Sequence, residues 1–419
     1  MLTTLRRAAA AALVAAPALA GAQTFSTLSQ DNPARIPDLA SLAAGGAVAA
    51  LPTLDSPFIS NPAHITQSGL FSFNVAGVTA GAGGNLRESY DFYDQELGPA
   101  IEEGIDEIRE TDPARLEALY DEALRIGGQQ KTAHLAVLAP SVRARTGPVA
   151  FGVAAYGNSV TRARMTDGGA GIPFVDLYGQ ADVIVPAVAG FDVSKTPAGL
   201  VMPFDLSVGV SAAFVQRRIT AKSESVDALQ PDGEKLYLLR GNTLRFGAGL
   251  YARNVMVPGV DLGAEVTSLG AAVDYDLEAS WDVSGSEGAP DDMAEVEALQ
   301  ARFESRATDP VVRVGAAYRL PTLLVPGLSD TAVSVDYTTA STSEFDQSFQ
   351  AGLRAGARAT VLGVFGLQVG MSQGMPSAGV ALKTKVARIE YATYGVEDGR
   401  LLGQLQRRNH VVQVRFGWF

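Results

Sequence analysis

The sequence predicts an all-β protein: a transmembrane antiparallel β-barrel of about fourteen strands, with an N-terminal plug and helical insertions in its outer loops. Three observations carry this prediction. The first residues have the composition of an export signal. Apolar and polar residues alternate along many stretches of the later chain, and the connections between these stretches are alternately short and long.

The N-terminal residues 1–22 read as a secretory signal peptide. Two arginines precede a short apolar run, and small residues at Ala20 and Ala22 offer two positions for cleavage. An N-terminal membrane anchor is the alternative, but the apolar run is shorter than the roughly 20 residues that a spanning helix needs. We therefore expect export to the outer membrane of a Gram-negative cell.

Strand alternation is clearest from Phe204 to Phe214, where every second residue is apolar and the residues between are small or polar. A soluble sandwich with one wetted face would show the same period of two. Many of these stretches run ten residues or more, however, whereas soluble strands have about five or six. Their polar face also mixes glycine with arginine. Both features favour strands that cross a membrane with the apolar face outward.

Fourteen such strands can be placed along residues 67–419. They are expected at 67–82, 131–144, 148–164, 174–193, 201–222, 234–254, 259–281, 310–321, 330–340, 347–360, 364–373, 377–384, 386–396 and 406–419. If the first strand runs outward, the long connections fall on the outer side of the membrane and the tight turns on the inner side. In the last strand Trp418 and Phe416 share the apolar face, so the terminal Phe419 is expected beyond a slight register break.

The negative charge of the chain is confined to two insertions. Residues 85–126 carry thirteen acidic and four basic side chains, and residues 284–309 carry seven and two. Because the whole chain has a net charge of −12, the remainder is slightly basic. Acidity therefore belongs to the insertions and not to the barrel, and nucleic acid is not expected as a partner.

Both insertions show helical periodicity, at residues 85–127 and 287–307. In the first, Ile101, Ile105 and Ile108 recur at helical spacing, and Asp112, followed by proline, predicts the start of a second helix. In the second, Asp291 or Asp292 is expected to cap a helix with one apolar stripe, formed by Met293, Val296, Leu299 and Phe303. These helices would either form a lid that faces a ligand or partner, or pack on each other and on the barrel rim.

Residues 23–66 precede the first strand and contain a small-residue stretch with Gly45 and Gly46, followed 15 residues later by Asn61, Pro62 and Ala63. Together with about fourteen strands, these motifs resemble the FadL-like outer-membrane long-chain fatty acid transporter superfamily. The resemblance implies that the segment forms a hatch inside the barrel, with these five residues as hatch elements, and that hydrophobic ligands leave sideways through the wall. The alternative is that the hatch only closes the pore.

The same superfamily has divergent branches that are not fatty acid channels. They include TraF-type plasmid-transfer proteins and the shuttle proteins of type IX secretion. The acidic helical insertions and the low aromatic content of this chain resemble those branches. The resemblance therefore predicts the fold and leaves the substrate open.

The polar face of the strands is expected to line the lumen. Its charged candidates are Asp205, Arg245, Arg253, Arg313, Arg319, Asp336, Arg354, Arg358, Arg388, Glu390 and Arg415. These charges would either compensate one another in pairs or leave a net basic lumen that favours carboxylate-bearing amphiphiles.

An enzyme is not expected. Only His64, His134 and His410 could act as imidazole bases, and no motif places a serine within their reach. The chain has no cysteine, and its sequence shows no metal-binding cluster and no phosphate-binding loop. No cofactor and no metal are therefore expected.

The sequence thus predicts a passive outer-membrane channel for small hydrophobic or amphiphilic, fatty-acid-like molecules, gated by the hatch. The alternative is a structural or secretion- or conjugation-associated barrel whose outer loops bind a protein. The expected partners are outer-membrane lipid and lipopolysaccharide, a hydrophobic or amphiphilic small molecule, and the barrel-assembly machinery.

Overall fold

The computed structural model describes residues 38–167, 172–225, 236–270, 273–281, 293–304, 310–321, 327–339, 349–397 and 406–418. Within these ranges the strands join one closed antiparallel sheet. Seventeen extended stretches pair in it, and three strands each consist of two successive stretches, so the described barrel has fourteen strands. The fold class predicted from the sequence is confirmed.

The strands are numbered in chain order. β1 to β7 are Phe71–Gly83; Lys131–Leu138 with Ser141–Thr146; Val149–Val153 with Tyr156–Asp167; Pro173–Asp192; Asp205–Ser225; Leu236–Arg253; and Val260–Gly270 with Asp274–Trp281. β8 to β14 are Val311–Arg319, Leu328–Thr338, Leu353–Val361, Phe365–Ser372, Met375–Lys383, Ala387–Glu397 and Gln406–Trp418. Each strand pairs with the next along the chain, and β14 pairs with β1 to close the cylinder.

The closing seam between β14 and β1 contains one irregularity. The register shifts between Asn74 and Ala76 on β1, next to Phe416 on β14, as happens where a strand carries a β-bulge. The break expected at Phe419 falls on a residue outside the described ranges. The described shift lies at the same end of the seam, on the partner strand.

The two faces of the wall differ as the alternation predicts. On β5 the outward Val210 and Phe214 are 59% and 43% exposed, whereas the inward Ser207 and Arg217 are 3% and 7% exposed. The same two-residue period continues in the other strands, down to β14. An outward apolar band with a polar interior is the surface that a bilayer requires of a barrel.

The segment before β1 lies inside the barrel, and residues 38–68 are called the hatch from here on. It contains α1 (Leu39–Ala43), α2 (Ser56–Ile59) and the 3-10 helix Pro62–Gln67. Its sides pack against inward residues of the wall, including those of β4, β5 and β6. The predicted signal peptide and residues 23–37 of the predicted plug lie outside the described residues.

The first outer insertion is a small helical bundle. It consists of α3 (Leu86–Phe92), a π-helical turn (Tyr93–Leu97), α4 (Gly98–Glu103), α5 (Ile105–Thr111) and α6 (Pro113–Gly127). The helical spacing predicted through Ile101, Ile105 and Ile108 is wrong in one respect, because Gly104 has a φ of 102° and separates α4 from α5. The N-cap prediction holds, since the Asp112 carboxylate accepts a hydrogen bond from the Arg115 backbone N–H at 3.1 Å.

The second insertion contributes α7 (Met293–Glu304), and a further short helix, α8, spans Phe349–Gly352. Val296 and Phe303 of α7 are buried. Met293 was predicted to belong to the same apolar stripe, but it is 53% exposed. Asp291 and Asp292, the predicted caps, lie outside the described residues. Among the described helices, none is long and apolar enough to cross a membrane.

Candidate functional site: the hatch and the lumen wall

Glycines on the inner face of the wall bring the hatch backbone directly against the strands. At nine of them an added Cβ would lie 3.1 Å or less from a hatch atom. This glycine belt consists of Gly152, Gly190, Gly209, Gly249, Gly263, Gly315, Gly356, Gly370 and Gly379. A Cβ at Gly263 would overlap the Ala49 carbonyl, and one at Gly249 would overlap the Asn61 side chain. Even alanine therefore does not fit at these two positions unless the hatch moves.

The belt forms rows across neighbouring strands. Gly190, Gly209 and Gly249 lie opposite one another on β4, β5 and β6. Gly356 and Gly370 form a similar pair on β10 and β11. In the sequence these glycines lie on the polar face of the alternation, which indicates that they face the lumen. Their contact with the hatch could not be predicted, because it depends on the path of the hatch through the barrel.

Polar wall side chains bind the backbone of the hatch. Asp336 on β9 accepts hydrogen bonds from the backbone N–H groups of Val48 and Ala49 at 2.6 and 2.7 Å. Further wall side chains donate to hatch carbonyl groups, namely Ser334 to Ala47, Ser377 to Ala43, Arg358 to Pro52, Arg143 to Leu54 and Arg145 to Thr66. Bonds to charged groups contribute about 1.5–3 kcal/mol each, so Asp336 and the arginines dominate this attachment.

The hatch residues singled out from the sequence lie in two parts of the hatch, namely the turn after α1 and the start of the 3-10 helix. Gly45 and Gly46 have φ values of 69° and 80° in the turn after α1, a conformation that favours glycine. Asn61 is fully buried and its amide donates to the carbonyls of Ala49, within the hatch, and Leu250, on the wall, at 3.0 and 2.9 Å. Its side-chain oxygen accepts from the Ala63 backbone N–H at 3.1 Å.

A buried cluster of charges joins the hatch to the last strand. Asp55 of the hatch accepts a hydrogen bond from the Arg415 guanidinium of β14. Burial opposes the charged form of Asp55, but attraction by Arg415 and Arg143 outweighs it and lowers the pKa of this carboxyl. Burial, with repulsion from Asp55, raises the pKa of Asp38 to about 6. Thr53 donates a hydrogen bond to Asp38.

His64 is an uncharged member of the hatch. It is 1% exposed, its ring contacts Tyr251 edge-on at 4.8 Å, and its Nδ1 lies 2.9 Å from the hydroxyl of Ser56. Burial lowers the pKa of His64 to about 3. Ser56 is 0% exposed, so this serine and histidine cannot meet a substrate in the described arrangement, and their contact supports hatch packing.

The structure places the charged lumen candidates on the inner side of the wall, mostly in pairs. The ion pairs are Asp205 with Arg253, Arg313 with Glu265, Arg319 with Asp261, Arg358 with Asp330, Arg388 with Glu390, and Arg415 with Asp55. Asp336 binds the hatch, and Arg354 donates to the carbonyl of Ala351 at 2.6 Å. Compensation by pairing, the first of the two expectations, therefore describes most of this set.

Several partners in these pairs were missed by the reasoning from sequence. Asp261 and Glu265 alternate with the outward Leu262 and Ala264 on β7, so their inward position could have been read from the same period. Asp55 offered no such signal, because the hatch has no regular alternation. Arg245, another candidate, is buried in the lumen.

Above the hatch, the lumen has an aromatic ceiling formed by wall residues and α7. Phe303 of α7 packs on Tyr178 and Tyr275 with ring centroids 6.3 and 6.1 Å apart, and Gln300 donates to the Tyr275 carbonyl at 2.8 Å. Tyr178, on β4, and Tyr275, on β7, are inward residues. The second insertion therefore packs into the outer mouth. The first insertion packs on itself and on Val175, Met165 and Ile172 near the rim.

These features define a class of protein: a closed, fourteen-stranded barrel of outer-membrane type with an N-terminal hatch inside its lumen. No protein-family model and no curated protein matches the sequence. Among solved structures, the fold resembles channels described for hydrophobic compounds. The toluene transporter TbuX of Ralstonia pickettii is 13% identical, with 92% of this chain and 99% of that chain covered and a TM-score of 0.48.

Two further solved structures show the same degree of likeness. The toluene transporter TodX of P. putida is 11% identical, with 90% and 96% of the two chains covered and a TM-score of 0.44. A FadL homologue of Pseudomonas aeruginosa is 11% identical, with 91% and 98% covered and a TM-score of 0.44. The FadL-like resemblance noted in the sequence thus reappears among solved structures, and at these identities it concerns the fold alone.

Proposed function

We propose that this chain is a passive outer-membrane channel for small hydrophobic or amphiphilic, fatty-acid-like molecules, and that the hatch gates it. One observation carries the proposal. Among the described residues, no backbone-to-backbone hydrogen bond joins the hatch to the wall, and every hydrogen bond between them involves a side chain. A plug attached in this way can move without breaking the strand pairing of the barrel.

The composition of the upper lumen supports an amphiphilic cargo. Tyr178, Ile219, Leu239 and Tyr275 form an apolar cluster with Phe303 of α7 in the upper lumen. The ion pair of Arg217 with Asp182 lies close to Tyr178. A cargo with an apolar body and a polar end would match both kinds of surface.

Liposome uptake tests this function. The purified barrel is reconstituted, and uptake of a fluorescent fatty acid and of a small aromatic hydrocarbon is measured. Asp336→Asn weakens the attachment of Val48 and Ala49, so we expect faster uptake than in the native protein. Glu278→Gln removes a wall carboxylate whose described partner is Arg218, on the same face of β5 as the outward Phe214, and this control should behave as the native protein does. A barrel that carries neither compound, with the hatch intact or weakened, would refute the channel.

A structural or secretion-associated role is the second candidate, and two observations favour it. At the level of the glycine belt the hatch contacts strands from β3 to β12, so the lumen is filled there. In addition, the first insertion buries its apolar side chains and exposes acids such as Asp106 and Glu107, which could bind a basic partner. Under this alternative, uptake would be absent in the native protein and in Asp336→Asn alike.

A further inference from the structure

Arg245 on β6 is a buried cation for which the described residues provide no hydrogen-bond partner. It is 6% exposed, and none of its three guanidinium nitrogens has an acceptor within the described part of the chain. It lies opposite Ala213 of β5, on the inward face. Arginine remains protonated in proteins, and a buried charge is costly unless it is paired. Among the described residues, no hydrogen-bonded acceptor therefore compensates the positive charge of Arg245.

The charged neighbours of Arg245 do not compensate its charge. They are Asp182 and Arg217, which bind each other through two hydrogen bonds of 2.8 and 2.9 Å. Asp182 also accepts a hydrogen bond from Gln180 at 2.7 Å. Because Asp182 and Arg217 form a neutral pair, the charge of Arg245 is left over.

Arg245 lies between two packed levels of the lumen. Below it along β6, Gly249 contacts Asn61 and Pro62 of the hatch. Above it, Gly241 lies against Tyr275 of the aromatic ceiling. Each of these glycines is four residues from Arg245, which is roughly 13 Å along the strand.

The neighbouring inward positions of the wall are occupied by small residues. Ala213 lies opposite Arg245, and Gly247 is the next inward residue on the same strand. An added Cβ at Gly247 would lie 2.7 Å from the Ser211 hydroxyl oxygen, so this hydroxyl lies beside Gly247 on the inner face of the wall.

We propose that Arg245 is the receptor for the anionic group of a ligand in the lumen, either the carboxylate of an amphiphile or a free inorganic anion. The planar guanidinium suits both, because it can donate two parallel hydrogen bonds to a carboxylate or a phosphate. The proposal rests on the channel function proposed above and deepens it: the preferred cargo is an acid, not a neutral hydrocarbon.

Binding to the intact barrel in detergent tests the proposal. Octanoate, octanol and inorganic phosphate are each titrated by calorimetry against the native protein, Arg245→Gln, Arg245→Lys and a control. The control is the double variant Arg218→Gln with Glu278→Gln, which removes an ion pair on the face of β5 that carries the outward Phe214. Heat-modified mobility in gel electrophoresis verifies that each variant is a folded barrel. Arg245→Lys retains the charge and keeps the test valid if the glutamine variant does not fold.

We expect octanoate to bind at least 10-fold more tightly than octanol, and Arg245→Gln to weaken octanoate binding about 10- to 100-fold, as loss of a charged hydrogen bond predicts. Arg245→Lys should lose less, and the control should bind as the native protein does. If Arg245→Gln weakens phosphate binding as much as octanoate binding, the anion site is supported and its ligand can be an inorganic anion. No anion binding, or binding indifferent to Arg245→Gln, overturns it. Equal uptake of octanol in the native protein and Arg245→Gln would then leave the channel function intact.

Discussion

Arg415 of the last strand forms a buried ion pair with Asp55 of the hatch, and the two residues are 360 positions apart in the sequence. Arg415 also donates to the side-chain oxygen of Gln413 at 2.6 Å, and Gln413 donates to the Thr79 hydroxyl of β1 at 2.6 Å. The hatch is thereby linked to the seam at which the first and last strands meet.

Replacing Asp55 by asparagine should destabilise the protein strongly. Arg415 would remain buried without its carboxylate, and breaking a buried pair from one side costs about 3–5 kcal/mol. The free energy of unfolding, measured in urea with detergent micelles, checks this value. The double variant Asp55→Asn with Arg415→Gln should regain part of the loss. Equal destabilisation by the single and double variants would contradict the prediction.

Replacing Gly249 by alanine should displace the hatch. The added Cβ would overlap the Asn61 side chain, so the 3-10 helix must move away from β6. Because the chain has no cysteine, a single Ala63→Cys substitution at a fully buried position reports this movement by its rate of maleimide labelling. We expect labelling to be at least 10-fold faster when Gly249→Ala is added.

A second glycine supplies the control for this experiment. Gly157 lies in β3 and would place a new Cβ within 4 Å of nothing. Gly157→Ala should therefore leave the labelling rate of Ala63→Cys unchanged. If both alanine variants accelerate labelling alike, contact between the belt and the hatch is not the cause.

His64 should make the stability of the docked hatch fall at acidic pH. Its pKa is lowered to about 3 in the docked hatch, against about 6.5 when released. Its contribution is complete above pH 6.5 and is lost as the pH falls toward 3, by about 1.4 kcal/mol per pH unit. In His64→Gln this loss should disappear. Unfolding free energies of both proteins at pH 7, 6 and 5 measure the difference, and parallel curves would refute the prediction.

Asp38 should act in the opposite direction. Its pKa is raised to about 6 in the docked hatch, against about 3.9 when released. Its contribution is complete below about pH 4 and is lost as the pH rises through 6. Asp38→Asn should remove this loss, so its stability relative to the native protein should increase from pH 4 to pH 7. A constant difference across this range would show that Asp38 does not titrate in the hatch.

The fold could be predicted from the sequence because lipid imposes a single rule on every strand. Val210 and Phe214 must face outward and Ser207 and Arg217 inward, and the same period of two repeats along the chain. Connection lengths then indicate which end of each strand faces outside. This rule uses only neighbouring residues, so it does not depend on knowing the path of the chain through space.

The candidate site could be predicted only in part, because its contacts cross the lumen. Asp336 was expected to face inward, but its acceptance of two hatch N–H groups depends on the path of Val48 and Ala49. Met293 was misplaced because periodicity does not reveal how far a helix extends beyond the surface it packs on. The break at Gly104 was likewise missed, since a positive φ is not visible in an apolar period.

The glycine belt also bears on how much volume the barrel encloses. Barrel diameter follows from strand number and tilt, but the free bore is reduced by the inward side chains. At the nine belt positions no side chain takes up that space, so the bore is locally wider by about one side-chain layer on each side that carries the belt. Fourteen strands can therefore house a folded segment of the chain that would otherwise require a barrel of larger circumference.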